Sequence, residues 1–104
     1  MGSWKTSDGG AITPLGSSSA TLTASGTIVA SGANTKGVTI RTAALGTWGG
    51  TGQGRLTAGG VAILEGHGTN SAVLPREVFV PAGVEIAYTQ IAGATSLGIT
   101  YDIH

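Results

Sequence analysis

Apolar positions along this chain recur at a spacing of two, in short runs parted by glycine. Residues 25–30 form the first run. Across residues 37–45, Val38, Ile40, Thr42 and Ala44 fall on one face and Thr39, Arg41 and Ala43 on the other. Period two is the mark of a half-buried strand. Asn34-Thr35-Lys36-Gly37 before it reads as a turn, with Gly37 free to take positive φ. Residues 55–58 and 61–65 are two further strands, and Gly59-Gly60 between them predicts a hairpin. Residues 77–88 read as another hairpin, closed at Pro81-Ala82-Gly83: proline presets the first corner and glycine accepts the left-handed position. Beyond that turn Val84, Ile86 and Tyr88 share one face, with Glu85, Ala87 and Thr89 opposite. Finally Leu97, Ile99, Tyr101 and Ile103 alternate with Gly98, Thr100 and Asp102. No stretch sustains a helical period. The expected fold is all-β, with about seven short antiparallel strands in a jelly-roll-like sandwich or barrel.

Residues 1–24 break this pattern. Thirteen of these 24 residues are Gly, Ser or Thr, and the apolar side chains Trp4, Ile12, Leu15 and Leu22 are scattered. A segment of that composition does not order by itself. It needs a surface to lie on, either its own sheet or another molecule. The chain therefore divides into a Gly/Ser/Thr-rich N-terminal docking arm, 1–24, and a β domain, 25–104.

Composition sharpens the class. The 104 residues fit one domain with a modest core. Glycine is present 19 times, nearly three times its usual share, and serves turns and bulges. Five basic and five acidic residues cancel. No basic stripe exists to neutralise phosphates, so nucleic-acid binding is not expected. Zero net charge weakens solubility as a free monomer and favours assembly. Without cysteine there is no disulfide, thiolate site or thiol nucleophile. Neither a signal peptide nor a membrane span is expected.

Candidate chemistry is sparse. The run Gly46-Thr47-Trp48-Gly49-Gly50-Thr51-Gly52-Gln53-Gly54 lacks the G-x-G-x-x-G spacing, a Gly-Lys-Ser/Thr ending and a following helix, so it reads as a mobile glycine loop. Within it Trp48 has few local partners; it plugs its own core or anchors a contact with a neighbour. His67 lies two residues from Glu65 and His104 is remote, too few for a metal site. No serine sits in G-x-S-x-G. Glu65, Glu77, Glu85 and Asp102 are the carboxylates from which a hydrolytic pair would come, but solvated surface charge is their ordinary role. No catalytic, cofactor-binding or metal residue is expected. The candidate interface residues are Trp4, Ile12, Leu15, Leu22 and Trp48.

Two resemblances follow. Pro81-Ala82-Gly83-Val84-Glu85-Ile86 resembles the P-x-G-x-x-H turn of the second cupin motif, with Ile86 at the metal-binding histidine's place and no paired histidines elsewhere. That likeness implies a jelly-roll turn without cupin metal chemistry, at most a degenerate cupin. In style, residues 25–104 resemble small virion proteins of tailed bacteriophages, in segments such as Gly37-Val38-Thr39-Ile40-Arg41-Thr42-Ala43 and Val78-Phe79-Val80-Pro81-Ala82-Gly83-Val84. This implies a non-enzymatic capsid decoration (cement) protein on the virion surface. Such a protein is a homo-oligomer, often a trimer, bound to the major capsid protein or other virion proteins. A collar or head–tail component is a further expectation, as is a receptor- or glycan-binding module of a tail or fibre.

Overall fold

The computed structural model describes residues 14–104 and, before them, the backbone of Trp4–Lys5 and Ala11–Ile12. Its strands in chain order are β1 (Trp4–Lys5), β2 (Ala11–Ile12), β3 (Ser18–Leu22), β4 (Gly26–Val29), β5 (Val38–Ala58), β6 (Val61–His67), β7 (Ala72–Val73), β8 (Val78–Val80) and β9 (Ile86–Ile103). Among the described residues there is no helix. β1 and β2 pair with each other, Trp4 opposite Ile12. The other seven strands form one antiparallel sheet in the order β3-β9-β5-β6, with β4 on β9 and β7 and β8 on β5. The protein is therefore all-β, its main strands joined in a single open sheet.

Two long strands carry that sheet. β5 has 21 residues and β9 has 18, and they pair from Val38 opposite Ile103 to Ala58 opposite Ile86. Neither runs straight. Trp48 pairs with Ala94, yet the next pair is Gln53 with Ala92, so residues 49–52 of β5 stand against Gly93 alone where the ladder turns. Gly49, Gly50 and Gly93 hold positive φ there. At Gly93 a Cβ would stand 2.8 Å from Gly52 Cα, and at Gly52 one would stand 2.5 Å from the Ala94 carbonyl oxygen. The two backbones touch, leaving no volume for a side chain. The stretch expected as a mobile loop is thus a corner built into the ladder, and its glycines are required by contact and by φ.

Bending brings inward-facing residues from both sides of the corner into one core. Val38, Ile40, Leu45, Leu97 and Ile99 come from one side, and Leu56, Ile86 and Tyr88 from the other, all essentially inaccessible. Burying each aliphatic side chain stabilises by roughly 1.5–3 kcal/mol. Tyr88 and Thr95 lie on opposite sides of the corner in the same strand, and their hydroxyls hydrogen-bond in the interior. A straight strand would hold residues seven apart at roughly 23 Å. That bond satisfies the polar tip of a buried tyrosine, which would otherwise cost free energy.

Several expectations are met. Gly59 and Gly60 take positive φ in the β5–β6 hairpin, β4 occupies most of the first predicted strand, and Leu97, Ile99 and Tyr101 face inward. Others need correction. In β5, Ile40 pairs with Tyr101 and Thr42 with Thr100, leaving Arg41 as the extra residue of a bulge. The alternation slips by one, so Ala43 and Leu45 are buried in place of Thr42 and Ala44. The Pro81-Ala82-Gly83 turn exists, with Gly83 at positive φ, but it closes no hairpin. β8 pairs with Val38–Ile40 at one end of β5, while β9 begins opposite Ala58 at the other. The 24/25 division also does not follow the sheet, because β3 pairs with β9 from Ser18–Tyr101 to Leu22–Leu97.

Asn34 explains the crossing between β8 and β9. It is fully buried. Its Nδ2 donates to the carbonyls of Pro81 (2.7 Å) and Val84 (3.0 Å), and its Oδ1 accepts from the Gly37 N–H (2.8 Å). The Asn34 carbonyl accepts from the Gly83 N–H at 2.7 Å. One side chain thereby takes backbone groups that a hairpin ladder would have used. Asn34→Ala leaves the Val84 carbonyl and the buried Gly37 N–H without their partner, while the exposed Pro81 carbonyl keeps the Val84 N–H at 3.4 Å, at about 1–3 kcal/mol for each buried group left unpaired. A fall in the urea midpoint equivalent to at least about 2 kcal/mol is expected, and an unchanged midpoint would refute the role. Gly93→Ala should destabilise by about 1–3 kcal/mol from its left-handed backbone alone, before the clash with Gly52. The same urea titration measures it.

Candidate interaction surface

The chemistry of the molecule lies on the outer face of the sheet. The Arg41 bulge and the outward residues of β9 build its main cluster. Asp102 Oδ1 accepts from the backbone N–H and the hydroxyl of Ser17, both at 2.7 Å, and Oδ2 accepts from Arg41 Nε at 2.7 Å. Arg41 Nη1 donates to Glu77 Oε2 at 2.9 Å. Beside these, the Gly16 N–H donates to Thr100 Oγ1 (3.1 Å), which also bonds Thr42 Oγ1 (2.7 Å). A Cβ at Gly16 would overlap the Tyr101 backbone. Residues 16–17 are therefore seated on β9, held by its side chains Thr100 and Asp102, which Thr42 and Arg41 of β5 bond in turn.

The seat determines the ionisation of Asp102. Its carboxyl is held far below the usual carboxylate range by the Ser17 N–H first, then by Arg41, then by the Ser17 hydroxyl. Arg41 is pushed up in turn, chiefly by the bond to Asp102 and then by that to Glu77.

Each of the four carboxylates has a partner on the sheet surface. Glu77 and Asp102 share Arg41, Glu65 pairs across the ladder with Arg55 at 2.8 Å, and Glu85 accepts from Thr27 at 2.9 Å. His104 Nε2 lies 2.6 Å from Thr39 Oγ1, and its ring stands 6.0 Å from that of the exposed Phe79. Among the described residues no group of three His, Cys, Asp or Glu is placed to hold a metal ion.

The expected interface residues are dispersed. Trp4 and Ile12 pair through their backbones, and their side chains lie outside the described residues. Leu15 is 72% exposed just before the seat. Leu22 is turned inward against the core, so it is no exposed anchor. Trp48 does not plug the core; it is 54% exposed at the corner, with its ring over Gly46. Trp48 is opposite Ala94 and the seat is opposite Tyr101 and Asp102, a separation of about 20 Å or more along β9. Sequence reasoning missed Arg41, Ser17 and Asp102 as partners. Arg41 and Asp102 carried only an outward position as a signal and Ser17 none, and the contacts span 61 and 85 residues of chain.

Comparison with protein-family models, curated proteins and solved structures finds no match.

Because its folded pKa lies below the unfolded one, Asp102 adds stability that is complete above the ordinary carboxylate range. That stability is lost as pH falls from about 4 toward the folded pKa. Asp102→Asn should therefore flatten the acid limb of the stability–pH curve. It should also raise amide exchange in residues 16–22 at neutral pH more than in residues 38–48. Identical acid limbs in the two proteins would refute the seat.

Proposed function

We propose that this chain is a non-enzymatic structural protein of a tailed-phage virion. In this reading it is a capsid decoration protein that forms a homo-oligomer and binds a shell of major capsid protein. The observation that carries the reading is the seat. Residues 16–17 are fixed on β9 by Asp102 and Thr100, and the chain before them leaves the sheet with Leu15 exposed. An anchor of this kind fixes the point from which the N-terminal segment starts, and that segment carries the apolar residues Trp4 and Ile12 that a partner molecule would take up. Exposed Trp48, Phe79 and Ile91 add apolar contact area on a surface with zero net charge.

The arm that docks is shorter than composition implies, because Ser18–Leu22 belongs to the sheet. Removing residues 1–13 keeps the seat and β3, whereas removal to residue 24 would strip an edge strand. The full chain should co-sediment with purified shells of its virion, and the chain lacking 1–13 should lose that binding by tenfold or more while keeping its urea midpoint. Failure of the full chain to co-sediment overturns the decoration reading.

Half-exposed Trp48 among glycines favours one other reading, a glycan-binding head, since an indole face stacks on a sugar ring. Glycan-array binding abolished by Trp48→Ala would favour it over decoration.

A further inference from the structure

We propose that β3 is a self-complementary sheet edge through which two copies of this chain join, antiparallel, about a two-fold axis. The proposal rests on the assembly reading above and names its contact.

A free edge presents unpaired N–H and C=O groups, and proteins guard such edges with bulges, charges, proline or shortness. The other edges here are guarded. β6 carries Glu65 and a bulge, since Leu56 pairs with Leu64 but Thr57 with Ala62, leaving Ile63 extra. β4 is interrupted at Ile28, between the Thr27 and Val29 pairs. β8 has three residues and runs into Pro81, and β7 has two. β3 is longer than β4, β7 and β8 and lacks a bulge, charge or proline. Its five residues, Ser18-Ser19-Ala20-Thr21-Leu22, pair with β9 in unbroken register and carry no charge and no proline. Among the described residues no strand pairs with its other edge.

The occupant follows from the sequence of the strand. Centred on Ala20, an antiparallel two-fold sets Ser19 opposite the second copy's Thr21, and Ser18 opposite its Leu22. Ser19 and Thr21 are exposed on the outer face, so hydroxyl meets hydroxyl across the joint, a favourable cross-strand pair. Ser18, Ala20 and Leu22 face the core side, where Ala20 meets its copy on the axis and each Leu22 lies opposite a Ser18, so nothing bulky collides. No like charges oppose each other, and an isologous contact closes on itself. A two-fold joint builds a dimer, in place of the trimer implied by the phage resemblance.

Sedimentation equilibrium tests this on the full chain. A five-residue edge is a small contact, so a concentration-dependent dimer is expected below roughly 1 mM. The double variant Ser19→Lys/Thr21→Lys sets lysine against lysine at both cross-strand pairs and should weaken dimerisation about tenfold or more at low salt. Ser19→Lys/Thr21→Glu sets lysine against glutamate and should restore it, a rescue that general damage to β3 would not give. The urea midpoints of both variants monitor folding. Dimer loss with charge-swap rescue supports the edge contact even where the chain binds no shell. A wild-type chain that stays monomeric to roughly 1 mM overturns it, as does a dimer or trimer that survives the lysine pair. Dimerisation that appears only after residues 1–13 are removed also overturns it, because the chain's own N-terminal segment would then hold the edge.

Discussion

Everything in this fold depends on two long strands turning the same corner together. β5 and β9 are paired along nearly their whole lengths, so neither can bend unless the other bends at the same height. The corner is possible because Gly52 and Gly93 let the two backbones meet with no Cβ between them. Glycine costs roughly 0.5–1 kcal/mol of backbone entropy relative to alanine in regular structure. Here that cost is offset by the core that bending creates, where each buried aliphatic side chain contributes roughly twice as much or more. The Tyr88–Thr95 bond holds the two limbs of β9 at the closed angle. Gly54 makes room for it, since a Cβ there would lie 2.8 Å from the Tyr88 hydroxyl oxygen.

The corner also decides which groups remain for function. With the inner face devoted to packing, the charged groups occupy the outer face, and there they answer one another. Arg41 is shared by Glu77 and Asp102, and Arg55 is met by Glu65. The salt bridges are partly exposed, where such pairs contribute little to stability. Their value is positional. The Asp102 cluster differs because it includes backbone N–H donors from a segment 85 residues away, which turns a surface ion pair into a fastening for the N-terminal segment.

Much of the fold was legible in the sequence, and the parts that were not share a cause. Local signals worked: Gly59-Gly60 marks a tight hairpin, and Leu97, Ile99 and Tyr101 keep strict alternation because β9 has no bulge among them. The Arg41 bulge was hidden because Thr42, Ala43 and Ala44 are small enough for either face, so hydropathy did not fix the register. The Pro81-Ala82-Gly83 turn was recognised as a turn, yet whether its flanking strands pair is set by Asn34, 47 residues away. A buried asparagine satisfied by distant carbonyls looks in sequence like any turn asparagine. β3 was missed for a related reason. Ser18-Ser19-Ala20-Thr21-Leu22 has the composition of a flexible segment, and only its pairing with β9 makes it a strand. Among the interface candidates, Leu15 and Trp48 stand exposed, whereas Leu22 is turned inward by the pairing of β3 with β9.

That failure bears on how the molecule works. Sidedness in β3 comes from its place on β9 and not from hydropathy, since Ser18, Ala20 and Leu22 face inward by register while only leucine is strongly apolar. Such a strand gains little from its own side chains and must be stabilised by its ladder on one side. A second ladder on its free edge would add backbone hydrogen bonds where the first leaves groups to water, and each is worth only about 0.5–1.5 kcal/mol net. Weak strands at the margin of a small sheet are therefore where association couples most directly to folding. The seat on Asp102 and the edge of β3 adjoin in sequence and in space, since Ser17 is bonded to Asp102 and Ser18 pairs with Tyr101. A margin held by one ladder leaves the core independent of it, and the closed corner of β5 and β9 supplies that core.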